Sequence, residues 1–428
     1  MKNNKYIKML FSALIVVVMF AMTACEDEPD KYEVAGGLPS VDYVRLPKIE
    51  AADSLITASY MSNTICLVGN NLRSVYELYF NDRKAVLNTS YITDHTLIVN
   101  VPRTIPEKVT DKIYMVTRNR DTVSYDFRVI VPAPTIHSMS CEFARAGEHV
   151  TLTGDYFLDD PNKPIAVKIG SVAVEQITHV SKTEIGFVMP ANVESGFVYV
   201  TSIYGTSRSK FRYRDTRNIL FDWDGSHGGH EKGHGWQKAT KLITDDEHSL
   251  DGAYVRFAGE LDDTAWKESS FSFNYWPDED HGYMRLSSRE PFAAMIQKYG
   301  LEGLQFKFEV NVPKENPWTA CAMQVIFTDM ETVSYSNLNS KYIADVTVPR
   351  GLWIPWKETG SYDTNGQWQT VTMNLKDFTM THEGNKCDTG FDTSKLCGLT
   401  MYVYHGGVPG KPCSPVIMID NIRVVPIE

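Results

Sequence analysis

All eight tryptophans of this chain fall in its second half: Trp223, Trp236, Trp266, Trp276, Trp318, Trp353, Trp356 and Trp368, with none between residues 26 and 215. Four of them stand beside or near a proline, in Trp276-Pro277, Pro317-Trp318 and Trp353-Ile354-Pro355-Trp356. Proline has no N–H to give to a sheet, so these four indoles are assigned to loops or edge strands. Large rings on loops lower solubility unless they meet a partner. A flat indole covers the C–H face of a pyranose while Asp, Asn, Gln and Arg bond its rim hydroxyls. Trp276, Trp318, Trp353 and Trp356 are therefore the candidate sugar-stacking residues, and Trp223, Trp236, Trp266 and Trp368 are read as core. One stacked sugar buries ~100 Å², worth roughly 2 to 3 kcal/mol, so micromolar binding at about −8 kcal/mol needs several platforms in a row.

Other groups offer competing chemistry. His227, His230 and His234 have the side chains of zinc or copper ligands, but the glycine-rich run 225–235 does not hold ligands rigidly, and it reads as a solvated loop. Asp222, Asp224 and Asp420 are a weaker candidate set for calcium. A sandwich glycosidase needs two carboxylates about 5 Å apart, or somewhat farther with inversion. Asp278, Glu279 and Asp280 follow a proline in an expected loop, and no strand shows a Glu-x-Asp alternation. There is no Gly-x-Ser-x-Gly elbow. No catalytic residue, metal or cofactor is assigned, and a hydrolase remains the alternative together with a protein-binding adhesin.

The elements that must position the indoles are strands. Leu304, Phe306, Phe308, Val310 and Val312 alternate with polar residues, as do Val371, Met373 and Leu375, while Ile417 to Val424 supplies a last strand. Only 291–299 reads as a short helix. Upstream lies an internal repeat: Ile65-Cys66-Leu67-Val68-Gly69-Asn70-Asn71-Leu72 is echoed by Val150-Thr151-Leu152-Thr153-Gly154-Asp155-Tyr156-Phe157, and Leu97 to Pro102 by Glu184 to Pro190. With 428 residues the chain exceeds one ordinary core. The predicted class is all-β, two small sandwiches followed by a larger jelly-roll sandwich. A net charge of −11 and the absence of any Lys/Arg cluster argue against nucleic acid or another polyanion, and an uncharged or basic ligand fits better. Cys66, Cys141, Cys321, Cys387, Cys397 and Cys413 form no CxxC pair and are read as small buried apolar residues, with one bridge possible among the last three.

The strand followed by Gly-Asn-Asn-Leu or Gly-Asp-Tyr-Phe, with a later Val/Met-Pro strand, resembles the immunoglobulin-like IPT/TIG domain. Val131-Pro132-Ala133-Pro134 joins the two copies. At the N-terminus, Lys2, Lys5 and Lys8 precede an apolar run from Met9 to Met22 and then Thr23-Ala24-Cys25-Glu26-Asp27-Glu28. This resembles a bacterial lipoprotein signal, which implies acylation of Cys25 and display on the outer membrane. Taken with Gly351-Leu352-Trp353-Ile354-Pro355-Trp356 and Gly366-Gln367-Trp368-Gln369-Thr370-Val371-Thr372-Met373, the whole chain resembles the surface glycan-binding proteins of polysaccharide utilisation loci, with a last domain of the xyloglucan-binding type. The resemblance implies a non-catalytic protein holding a β-glucan or hemicellulose for a TonB-dependent transporter and a surface glycanase. It places the platform at a tryptophan before a strand and an aromatic pair roughly 35 residues later, a spacing met by Trp318 and Leu352-Trp353. Leu352 departs from the aromatic pair, which shifts weight to Trp356. The expected layout is a signal peptide at 1–24, a lipidated spacer at 25–47, IPT/TIG units at 48–131 and 132–215, and the glycan-binding domain at 216–428.

Overall fold

The glycine of each repeat motif is fixed by a close backbone approach. A Cβ on Gly69 would lie 1.9 Å from the Ser40 carbonyl oxygen, and one on Gly154 would lie 1.9 Å from that of Thr135. At both places the preceding strand crosses the glycine at a register shift, so only a residue without a side chain fits. The computed structural model describes residues 37–231, 243–262, 268–329 and 345–428, so Cys25 and the leader lie outside the described residues, as do Trp236, Trp266 and His234. No helix among the described residues is long and apolar enough to cross a membrane.

The chain divides into two compact units, residues 1–132 and 133–428. In the first, β1 (Ser40–Arg45), β3 (Thr64–Asn70) and β6 (Thr96–Asn100) form one sheet. The facing sheet runs β5 (Arg83–Lys84), β4 (Val75–Phe80), β7 (Lys112–Thr117), β8 (Thr122–Asp126), and β2 (Ala58–Tyr60) pairs in parallel with β9 (Arg128–Ile130). The expected spacer is corrected at its end, because β1 belongs to the folded unit. Its side chains show little alternation, with Val44 alone fully buried, and its place comes from backbone pairing with β3.

The second unit opens with the repeat's other copy. One sheet holds β10 (Thr135–Met139), β11 (His149–Asp155), β15 (Glu184–Val188) and β14 (Ile177–Val180). The other holds β13 (Val172–Ala173), β12 (Ala166–Ile169), β16 (Gly196–Ser202) and β17 (Gly205–Tyr213). A larger sandwich follows in the same unit. Its six-stranded sheet runs β19 (Ile243–Thr244), β20 (Tyr254–Ala258), β27 (Val416–Pro426), β22 (Leu304–Asn311), β25 (Gln369–Asn374), with β18 (Ile219–Phe221) also on β27. Its four-stranded sheet runs β21 (Ser272–Tyr275), β26 (Gly398–Tyr404), β23 (Ala322–Thr328), β24 (Gly351–Trp353). The expected helix is present at Glu290–Tyr299, with Pro291 in its first turn. All six described cysteines are free thiols, five of them buried.

Phe306, Phe308 and Val310 of β22 face the core between these two sheets, as alternation predicts. The intervening Lys307, Glu309 and Asn311 are buried as well, because the preceding small sandwich covers that face. Lys307 Nζ donates to Glu142 Oε1 at 2.5 Å. Arg423 on β27 donates to Glu142 Oε2 at 2.8 Å and to Glu309 Oε2 at 2.7 Å, and the Arg423 side chain is fully buried. Thr370 Oγ1 donates to Glu309 at 2.9 Å while accepting the Glu142 N–H at 2.7 Å. Burial pushes the Glu309 carboxyl up to about 7 against the pull of Arg423. Burial works against the charged Arg423 guanidinium too, yet the Glu309 and Glu142 carboxylates hold its pKa above the ordinary arginine value. A continuous apolar layer from Ile136 and Phe211 through Tyr254, Trp368 and Met418 surrounds the cluster.

Removing one member leaves a buried charge unmatched, so Arg423→Met is expected to lose about 3 to 5 kcal/mol from the second unit. Chemical denaturation with probes in each unit checks this, the first unit's transition remaining in place. A second dependence comes from the His227 ring, which bonds to the Asp251 carboxylate at 2.9 Å. That bond raises the His227 pKa against the effect of burial, so its stabilisation is complete below the unfolded value near 6.5 and fades as pH rises through the folded value. Going from about pH 6 to about pH 8 should lower the melting temperature more in the native protein than in His227→Asn.

Candidate functional site

Three of the four candidate indoles are interior, which corrects the expected exposed platform. Trp318 has no exposed surface, while Trp356 and Trp276 are 4% and 5% exposed. Proline did exclude central strands, but a loop can fold back as a plug. Trp318 exchanges both backbone hydrogen bonds with Tyr362 at 2.9 Å, which seats the 313–321 loop against the 354–363 loop. Its indole N–H donates to the Ala320 carbonyl, and that of Trp356 donates to the Cys321 carbonyl at 2.8 Å. Trp353 is half-buried, its ring centroid 5.5 Å from those of Trp318, Phe308 and Tyr362, all at edge-to-face angles. Trp276 packs on Ile326 and Tyr402. Trp223 and Trp368 are buried as read from the sequence, Trp368 donating to the His248 carbonyl at 2.8 Å.

One group of aromatic residues with access lies on the outward side of the four-stranded sheet. Met401 and Val403 of β26 point to the core, so Tyr402 and Tyr404 point away from it. Register sets Tyr404 opposite Ala322, Tyr402 opposite both Gln324 and Ser272, and Leu352 on the far side of Gln324. Tyr402 is fully buried, whereas Tyr404, His405 and Leu352 are half-buried. The Tyr404 ring lies 5.3 Å from Tyr402, 4.6 Å from His405 and 6.1 Å from His382, nearly parallel to the last at 16°. Glycines fold the following turn back over this cluster, since a Cβ on Gly407 would fall 1.8 Å from the Glu383 carbonyl oxygen.

Gln324 organises the floor of the patch. Its amide donates to the Tyr404 carbonyl at 2.7 Å and the His382 carbonyl at 3.3 Å, and its oxygen accepts from the buried Arg350 guanidinium at 2.7 Å. Burial, aided by Arg350, holds the His382 pKa below the ordinary histidine value, so its ring is neutral at physiological pH. Burial raises the Tyr404 phenol. The patch therefore offers the neutral His382 ring and the Tyr404 phenol above the Gln324 amide. Among the described residues, His382 Nδ1 and the Asn274 amide nitrogen have no hydrogen-bond partner. This chemistry suits hydroxyl groups better than ions.

The competing groups are engaged elsewhere. Asp278 bonds to His281 at 2.8 Å and Glu279 pairs with Arg285 at 3.0 Å. His230 is pressed against Phe221 and Tyr275, and burial lowers its pKa to about 4. Asp222 accepts backbone N–H groups from Gly225, His227 and Gly229, and Asp224 accepts from Ser226 and Ala253. Among the described residues no three His, Cys, Asp or Glu side chains are placed to hold a metal ion. Trp318→Ala is expected to destabilise the second unit by about 3 to 5 kcal/mol, while Tyr404→Ala shifts the melting temperature little, which calorimetric melting of the two variants compares.

Comparison with known proteins agrees with this architecture. A profile for the surface glycan-binding protein B xyloglucan-binding domain matches residues 213–426, and one for the IPT/TIG domain matches 134–213. The crystal structure of the surface glycan-binding protein PbSGBP-B from Prevotella bryantii is 36% identical and covers 92% of this chain and 100% of that one, with a TM-score of 0.80. An IPT/TIG domain-containing protein of Bacteroides ovatus is 24% identical over 231 residues, covering 50% of this chain. The chain spans about half the length of that curated relative, at 46%. With the xyloglucan-binding profile on its larger sandwich and a full-length likeness to PbSGBP-B, this chain belongs to the surface glycan-binding protein B family.

Proposed function

We propose that this protein binds a neutral plant-type polysaccharide, xyloglucan or a related β-glucan or hemicellulose, without cleaving it, through the Tyr404 patch. The observation that carries the reading is that the sandwich matching the xyloglucan-binding profile gathers the half-buried Tyr404 and His405 rings against the buried ring of His382 on one sheet face. A sugar stacked on Tyr404 loses ~100 Å² of apolar surface, roughly 2 to 3 kcal/mol. Neighbouring contacts at His405, His382 and the Leu352-Trp353 edge are needed to outweigh the loss of motional freedom. Trp318, Trp356 and Trp276 serve as the packing beneath this surface. Non-catalytic binding is favoured because Asp278 and Glu279, the acids that follow Trp276 in sequence, are engaged by His281 and Arg285.

The sequence reading extends this role to the cell surface. Acylation at Cys25 would moor the protein to the outer membrane by lipid, and the bound polymer would pass to a TonB-dependent transporter and a surface glycanase. Many copies holding one long chain raise retention through effective concentration. Affinity gel electrophoresis against xyloglucan, mixed-linkage glucan, mannan and xylan tests the binding. Tyr404→Ala is expected to weaken retention by xyloglucan at least about tenfold with an unchanged melting temperature. Native mobility of both Tyr404→Ala and His382→Ala would place the site elsewhere. Release of reducing sugar from any of the polymers would support the hydrolase instead. Loss of membrane association in Cys25→Ser checks the anchor.

A further inference from the structure

The β17 sequence Arg208-Ser209-Lys210-Phe211-Arg212-Tyr213 alternates basic and core residues, a strand-period cluster that a count of consecutive charges misses. Ser209, Phe211 and Tyr213 are buried, so Arg208, Lys210 and Arg212 share the outward face of the β13-β12-β16-β17 sheet. Register brings Tyr199 of β16 beside Arg208 and beside Lys168 of β12, extending the patch across three strands. Both Arg208 and Arg212 place their guanidinium carbons 4.1 Å from the Phe197 ring centroid. Arg212 is neutralised by Glu428 at 2.9 Å. Among the described residues Lys168, Arg208 and Lys210 have no carboxylate partner, and all three are exposed. This stands out in a chain of net charge −11.

We propose that this face is a second binding surface, for a carboxylate-bearing polysaccharide. The Phe197 ring is taken up by guanidinium groups, so it does not stack a neutral sugar as Tyr404 can. Stacking leaves the edge N–H groups of Arg208 free and already oriented, the geometry that grips a carboxylate with two parallel hydrogen bonds. Cations at alternate positions of a strand repeat every ~7 Å, so a polymer with regularly placed carboxylates meets more than one at a time. A protein partner is disfavoured because no large apolar side chain between residues 133 and 215 is exposed to anchor one. Basic residues on an edge strand also discourage sheet pairing, but that role needs neither Lys168, two strands inward, nor the stacking on Phe197.

The test is affinity electrophoresis of the full chain in gels loaded with polygalacturonate, with poly-L-glutamate and xyloglucan as comparison polymers. Polygalacturonate should retard the protein at low salt, and added salt should weaken this. The Arg208→Ala/Lys168→Ala double variant should lose about tenfold or more in affinity, while its xyloglucan retention and melting temperature stay unchanged. No retardation by polygalacturonate, or retardation that survives the double variant, overturns the proposal. Equal retardation by poly-L-glutamate also overturns it, in favour of a protein-docking or general polyanion face. Tyr404→Ala separates the two sites, since it should leave polygalacturonate binding intact whatever its effect on xyloglucan.

Discussion

Four buried charges, Glu142, Lys307, Glu309 and Arg423, determine how the second unit is built. Taken out of water singly, each would be strongly unfavourable, and they persist because each cation meets a carboxylate within 2.8 Å and Thr370 bonds into the centre. Glu142 belongs to the small sandwich and the other three to the large one. Neither sandwich can therefore leave without exposing an unmatched charge to a partly apolar surface. The layer running from Ile136 to Met418 adds the larger nonspecific term, and the ion cluster adds geometry, fixing register and orientation at the junction. The IPT/TIG-like domain and the glycan-binding sandwich thus form one compact unit. A cut at the 215/216 boundary that the sequence suggests would separate Glu142 from Lys307 and Arg423.

The same division between buried and accessible groups explains where binding chemistry can reside. Trp318 and Trp356 sit in the core of the large sandwich, with their N–H groups bonded to loop carbonyls and the Trp318 ring set edge to face against Trp353. Burying such rings contributes several kcal/mol of stability, and it removes them from direct contact with a polymer. The tyrosine–histidine cluster is supported from below by Gln324 and Arg350 and keeps part of its surface open. A rigid floor under a few accessible rings is what weak individual sugar contacts require, because little ordering remains to be done on binding.

Much of the fold was legible in the sequence. The alternation in Leu304 to Val312, the repeated Gly69 and Gly154 motifs and the Pro-rich join express period-two strands and obligatory backbone contacts, which are local properties. The site was less legible. Proline beside a tryptophan reports that its backbone is not in a central ladder, and says nothing about whether the loop turns inward, as Trp318 does through Tyr362. Tyr404 left a fainter signal: Tyr402 and Tyr404 alternate with Met401 and Val403, but in a strand buried on nearly all positions the two faces read alike. The polar face of β22 misled in the opposite direction, since Lys307 and Glu309 mark an interface with another domain instead of solvent. The basic row on β17 was visible only by counting every second residue.

Binding of neutral β-glucan at the Tyr404 patch, with Trp318 and Trp356 as support, is the proposal on which the functional reading turns. Side-chain NMR chemical-shift mapping with a xyloglucan oligosaccharide addresses it most directly, using labelled tyrosine, histidine and tryptophan rings. Binding at the patch gives saturable shifts centred on Tyr404, His405 and His382, falling off through Trp353 and absent at Trp318 and Trp356. Shifts concentrated at rings remote from β26, or none at saturating oligosaccharide, would contradict it.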